Sequence, residues 1–331
     1  MSGDRKHPTN RVAAPMKRSQ AMPSATRDTG PGDRGLTIIE VLVAVGILGL
    51  LVAIVLPAVQ QSRMAAMRID CSDHLRQIGL AAQQYHETYG HLPDHQMLYR
   101  LFPYLGLQNW FDAGVSERDL GKWHPVLLCP LDRLHDPGES PSPYSYLAAG
   151  GSCLGCGEGI LRSGPITEEG ISWNEVTDGL SGTALFSERR ASLHETAVPL
   201  GDEARAAACQ ADPVRCIWQL RSAFGPGQDV GYVAACGDPQ HRSAPRSPND
   251  KRVYWSEADK PYGHVLPPNT PSGYRGYPFE TSHSLAASSH HTGGVNLLLC
   301  DGAVRFVADT IHVPLWWAIG TRNGNDVVGE F

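Results

Sequence analysis

The 331-residue chain lacks the short motifs by which many enzymes can be read from sequence. It has no G-x-S-x-G elbow, no P-loop, and no G-x-G-x-x-G that follows a strand pattern and opens a helix. Acyl-transfer hydrolysis and nucleotide chemistry therefore have no local anchor. Ser288-Ser289 beside His290-His291 makes only a weak triad. One C-x-x-C is present, Cys153 and Cys156, with no second pair to complete a zinc site. Positive charge is scarce in the body: net charge is −6, and residues 1–35 hold seven Lys/Arg against three Asp, leaving about −10 for the rest. Such a balance excludes a nucleic-acid partner for the body. No internal repeat is evident, and neither enzymatic activity nor a cofactor is expected.

What the chain does have is turn-forming residues and one apolar run. Its 35 Gly and 25 Pro are spread in clusters through residues 90–331, which reads as a turn-rich, mostly β body. From Leu36 to Val59, 24 residues depart from Gly and aliphatic types only at Thr37, Glu40 and Pro57. As a helix they span roughly 36 Å at ~1.5 Å per residue, enough to cross a bilayer. The run exceeds the apolar core of a secretory signal and is followed by only weak small-residue cleavage sites. The basic leader is expected to stay cytoplasmic, placing residues after about 60 outside. Glu40 is the anomaly, because a carboxylate near a bilayer costs a few kcal/mol unless it is paired.

The stretch RG-LTIIEVLVAVGILGLLVAIVLPAV (34–59) resembles the N-terminus of type IV prepilins and type II secretion pseudopilins. The resemblance implies that a prepilin peptidase/methyltransferase cuts after Gly35 and N-methylates Leu36. Glu40 becomes the fifth residue of the mature chain. Its carboxylate would then pair with the new α-amine of a neighbouring subunit, an arrangement that favours register more than net stability. Leu36 stands where Phe is commoner in that family, and the leader is long, so Met16 or Met22 is an alternative start.

Beyond Val59, Met64, Met67, Cys71, Leu75, Ile78, Ala82, Tyr85 and Tyr89 recur at spacings of three or four, one stripe of an amphipathic helix. Gly90 followed by Pro93 reads as its end, and Pro57 is expected to kink or locally melt it.

Body segments CSDHLRQIGLAAQQYHETYGHLP (71–93), LLCPLD (127–132), PYSYLAAGG (143–151), EVTDGLSGTALFSER (175–189), LPPNTP (266–271) and SSHHTGGVNLLLCDGAVRFVADTI (288–311) resemble the DUF1559 family of prepilin-type proteins. The last segment carries its signature of His, nine residues, then Asp-Gly: His291, Asp301 and Gly302. Physically it reads as a hairpin with a type I′ turn at Asp301-Gly302. Pairing 300 with 303 predicts Leu297, Leu299, Val304 and Phe306 on one core face. Residues 295–301 extend roughly 20 Å at ~3.3 Å per residue, so His291 is kept from Asp301 and is expected near His312.

Eight cysteines allow many pairings. Cys153–Cys156 and Cys209–Cys216 are local disulfide candidates, and Cys71 can reach Cys129 once the head packs on the helix. VTDGLSGT (176–183) reads as a turn before a strand; the lesser alternative is a Ca²⁺ loop at Asp178 with help from Glu168, Glu169 or Glu175.

The expected fold is α+β: a basic leader (1–35), a transmembrane helix (36–59), its stalk continuation (60–90), and a mainly antiparallel-β, pilin-like head (91–331). The expected function is a pilin-like or pseudopilin-like structural subunit of a type II secretion or type IV pilus-like assembly. Its partners are the peptidase, other pilin-like subunits and membrane lipid. It would sit single-pass in a bacterial inner membrane, N-terminus cytoplasmic and head outside. The alternative is an anchored envelope-binding module that does not polymerise.

Overall fold

A computed structural model of the chain describes residues 37–94, 96–112, 124–135, 144–153, 158–161, 170–190, 211–215, 217–220, 229–238, 242–243, 261–274, 283–326, 328, 329 and 331. The chain divides into two units, residues 1–56 and 57–331.

Helix α1 runs Ile38–Tyr89 and continues through Pro57. Gly90 ends it at φ 79°, a left-handed conformation that only glycine adopts without strain. Its first half is aliphatic on every side and fully exposed, and it is long and apolar enough to cross a membrane.

Within the second unit the short helices are α2 (Met97–Arg100), α3 (Gln108–Asp112), α4 (Pro130–His135), α5 (Asp229–Gly237) and α6 (Val313–Gly320). The strands are β1 (Tyr146–Ala148), β2 (Ala184–Glu188), β3 (Ile217–Leu220), β4 (Arg242–Ser243), β5 (Ser272–Tyr274), β6 (His283–Ser284), β7 (Gly294–Leu299) and β8 (Val304–Ala308). One antiparallel sheet has the order β1-β2-β7-β8; a smaller one has β4-β3-β5-β6, with β3 and β5 parallel.

β2 and β7 are buried at every position, because both faces of the larger sheet are covered. On one face Leu298, Cys300, Phe186 and Tyr146 pack with Leu75, Ile78 and Ala82 of α1. On the other, Val295, Leu297, Leu299 and Val307 pack with Trp316 and Ile319 of α6. Fully burying a Leu or Ile contributes roughly 1.5–3 kcal/mol, so Leu75 and Ile78 alone strongly favour docking of this part of α1. The stripe is buried at its centre. Its ends, Met64 (38 % exposed) and Tyr89 (56 % exposed), stand out in solvent.

The hairpin register differs by one from the sequence expectation. Leu298 pairs with Val304 and Leu297 with Arg305, leaving a three-residue connection at Cys300-Asp301-Gly302. Gly302 has φ 88°, as in a type I turn closed by a left-handed glycine rather than a type I′ turn. The slip moves Val304 to the α1 face with Leu298, opposite Leu297 and Leu299. Alternation alone did not set the register, since both faces of β7 are apolar.

Candidate functional site

Two places carry the residues singled out by sequence. At the start of α1, Thr37 precedes the first helical residue and Glu40 is the third inside it. The Thr37 amide and hydroxyl both donate to Glu40 Oε2 at 2.8 Å, and the Glu40 amide donates to Thr37 Oγ1 at 3.3 Å. This is a reciprocal capping box that satisfies otherwise orphaned helix donors. The signal, T-I-I-E, was visible in the sequence but hidden by the membrane question. Gly35 and Leu36 lie outside the described residues.

The second place is the face of the larger sheet that meets α1. Tyr146 and Glu188 pair across β1 and β2, and Asn296 and Phe306 pair across β7 and β8. Glu188 Oε2 accepts the Asn296 amide at 2.7 Å, while its Oε1 accepts Asn296 Nδ2 at 3.0 Å. His291 Nε2 completes the carboxylate's environment at 3.1 Å from Oε1. The same nitrogen is 3.7 Å from Cys129 Sγ, and Cys129 is joined by a disulfide to Cys71 of α1. Glu188, Asn296, His291, Cys129 and Cys71 are all buried.

Beside this cluster, Asp132 of α4 accepts the Ser145 hydroxyl at 2.5 Å and lies 3.2 Å from His290 Nε2. Across the row, Tyr146 Oη is 3.1 Å from His74 Nδ1 on α1. Burial, reinforced by Glu188 and Asp132, pushes the Tyr146 phenol well up, so it stays protonated. Burial pushes the His74 imidazole down.

His291 therefore meets Glu188 and the disulfide, not His312, which is exposed at the head of α6. The ladder stops at Gly294 and Ala308, and the chain then bends. Ser289 directs that bend: its hydroxyl donates to the Gly294 carbonyl at 2.7 Å and accepts the His291 amide at 3.1 Å. Asn269, from the LPPNTP segment, accepts the Ser289 amide and donates to Asp309.

At the other end of the motif, Asp301 Oδ1 accepts the Ala303 amide at 2.8 Å, and the Asp301 carbonyl faces Gln83 Nε2 of α1 at 3.5 Å. Cys71 and Gln83 are separated by ~18 Å of helical rise, close to the ~20 Å of strand between the two ends of the motif. Both ends of the motif thus bear on α1, His291 through the Cys71–Cys129 bond and Asp301-Gly302 through Gln83.

Asp178 accepts the Gly324 amide at 2.7 Å, the Asn325 amide at 2.8 Å and the Thr321 hydroxyl at 2.9 Å. Its oxygens thus fasten the segment after α6 with N–H and O–H donors. Glu175 belongs to a capping box with Ser172; Glu168 and Glu169 lie outside the described residues. Cys153 is disulfide-bonded, while Cys156, Cys209 and Cys216 lie outside the described residues.

Sequence reasoning missed Glu188, Asn296, Asp132 and His290 as one buried polar group. A signal existed in the abrupt change from ALFS to Glu188-Arg189-Arg190 at the end of an otherwise apolar strand.

No curated protein and no solved structure matches this chain. Residues 31–56 match the prokaryotic N-terminal methylation motif, which indicates a pilin-like protein processed by prepilin peptidase. Residues 60–113 and 106–313 match the model described as a protein of unknown function, DUF1559. Since these segments cover well over half of its length, the chain belongs to the DUF1559 family, with an N-terminal methylation motif ahead of the family domain.

Proposed function

We propose that this protein is a structural, pilin-like subunit held single-pass in a bacterial inner membrane and associated with a type II secretion or type IV pilus-like assembly. The observation that carries the reading is the first half of α1. Its aliphatic side chains are exposed on all sides, with Ile38 81 % and Ile54 64 % accessible, and its only carboxylate is Glu40 near the N-terminus. A helix apolar all round needs lipid or other helices around it.

Peptidase action after Gly35 gives Leu36 an α-amine four residues from Glu40 in sequence. Glu40 Oε2 is engaged by Thr37 within the chain, and the charge of the carboxylate pairs with the amine of a neighbouring subunit. The leader stays cytoplasmic and the head is exported, in line with the basic leader. The role is structural rather than enzymatic, in keeping with a head that pairs His291 with Glu188 and Ser145 with Asp132 in its interior.

Glu40→Gln separates the two roles of this residue, because the amide still accepts the Thr37 bonds but has no charge. With a photocrosslinker at Ile47, wild-type chains should crosslink through α1 in membranes, and Glu40→Gln chains should lose most of that product while still being processed. Equal crosslinking by the two would reject the assembly role. Monomeric wild-type chains would point to the anchored binding module instead.

A further inference from the structure

Cys71, Cys129, Glu188 and His291 each present one donor atom, all within 4.8 Å of one another and all buried. We propose that these four residues form a zinc site that alternates with the Cys71–Cys129 disulfide: oxidised, the pair is covalently bonded; reduced, the two thiolates, His291 Nε2 and Glu188 Oε1 hold one Zn²⁺.

The distances fit tetrahedral coordination. Zinc binds thiolate sulfur at about 2.3 Å and imidazole nitrogen or carboxylate oxygen at about 2.0–2.2 Å. A tetrahedron of those bonds has a sulfur–nitrogen edge of about 3.5 Å and a nitrogen–oxygen edge of about 3.3 Å. Here Cys129 Sγ to His291 Nε2 is 3.7 Å and His291 Nε2 to Glu188 Oε1 is 3.1 Å. The two sulfurs must part to about 3.8 Å, as breaking their bond allows, and the remaining donor pairs already lie within 4.8 Å of one another.

The surroundings are those of a built site. Glu188 is held by the Asn296 amide and side chain, and the backbone of His291 by Ser289. Such supporting bonds orient metal ligands. The donors also come from four separate parts of the chain, α1, the turn before α4, β2 and the bend before β7. A metal and a disulfide would therefore perform the same mechanical task, fastening α1 to the head.

The exchange balances with a dithiol reductant. Two electrons and two protons pass from the dithiol to the disulfide, giving two thiols and the reductant's own disulfide. Zinc then displaces the two thiol protons. The reverse, driven by a disulfide oxidant, releases the ion.

The test uses full-length protein in detergent, with Co²⁺ as the spectroscopic probe and Zn²⁺ as competitor. After reduction, one Co²⁺ per chain should give the intense visible and near-ultraviolet bands of tetrahedral thiolate coordination, displaced by Zn²⁺. The oxidised chain should show none at this site. Cys71→Ser should abolish the bands, and His291→Gln, which keeps a polar side chain, should weaken Zn²⁺ binding by at least about tenfold. No bands on reduction would overturn the proposal. So would unchanged binding by folded Cys71→Ser protein, which would assign the metal to other thiols. If Cys71→Ser does not fold, His291→Gln decides: unchanged affinity rejects the site.

Discussion

His291 Nε2 lies 3.1 Å from Glu188 Oε1, in an interior position where neither side chain is more than a few per cent exposed. His291 is thus a partner for a buried carboxylate, and through Cys129 it abuts the bond that fastens α1. Asp301-Gly302, at the far end of the hairpin, makes a turn that touches α1 at Gln83. The nine-residue spacing reads as the length of one strand laid along three turns of helix.

The two ends of the motif should therefore differ in cost. His291→Ala removes a donor from a buried carboxylate and leaves space beside the disulfide, so it should destabilise the head by about 3 kcal/mol or more. Asp301→Ala removes one exposed hydrogen bond to Ala303 and should cost about 1 kcal/mol or less. Urea unfolding of the two variants checks the order.

The Cys71–Cys129 bond closes a loop of sequence separation 58. Chain-entropy arguments assign such a cross-link roughly 4 kcal/mol. With zinc excluded by a chelator, reduction should lower the thermal midpoint markedly, and Cys129→Ser should reproduce the loss without added reductant. A midpoint insensitive to reduction would show that the head does not depend on this bond.

Glycines at two contacts with α1 and the turn should respond differently to the same change. Gly302 has φ 88°, and a Cβ there would also come within 3.1 Å of Gln83 Nε2. Gly302→Ala should therefore cost about 1–2 kcal/mol. Gly79 sits in α1 with Leu298 Cδ1 3.0 Å from an added Cβ. There the gain in helix propensity of about 1 kcal/mol offsets the crowding, so Gly79→Ala should be close to neutral, while Gly79→Leu should overpack by about 1–3 kcal/mol. Denaturant midpoints distinguish the three variants.

Acid sensitivity has an identifiable contributor in His264. It is buried against Trp316, with Nε2 2.8 Å from Tyr262 Oη and Nδ1 2.8 Å from the Trp316 carbonyl. Burial lowers its pKa from 6.5 to about 3. Between these values the unfolded chain carries a proton on this group that the folded chain refuses, so the folded state loses stability as pH falls. The contribution is about 1.4 kcal/mol per pH unit, lost from pH 6.5 toward 3 and fully present above 6.5. Unfolding midpoints across this window should vary less steeply with pH in His264→Gln, by close to one proton.

The long helix was legible because its period and composition extend over 52 residues, and Gly90 marks its end unambiguously. The Cys71–Cys129 pairing was among the readable options, since both cysteines border elements expected to pack together. The hairpin was legible as an element but not in register. Leu297, Leu298 and Leu299 are all apolar, and only the cover on both faces explains why all three are buried. The cluster around Glu188 was not legible, because its members come from β2, α4, β7 and the SSHH bend, and nothing local in any of those segments names the others. Likewise T-I-I-E offers two readings in the sequence, a helix cap and a membrane charge, and the Thr37 contacts show the first.

Assembly through α1 depends first on processing at the junction of the leader and α1. Mass spectrometry of the N-terminal peptide of the mature protein, isolated from membranes of cells containing prepilin peptidase, tests it directly. The mature chain should begin at N-methylated Leu36. A mature chain that retains residues 1–35, or one that begins beyond Val59, would contradict it.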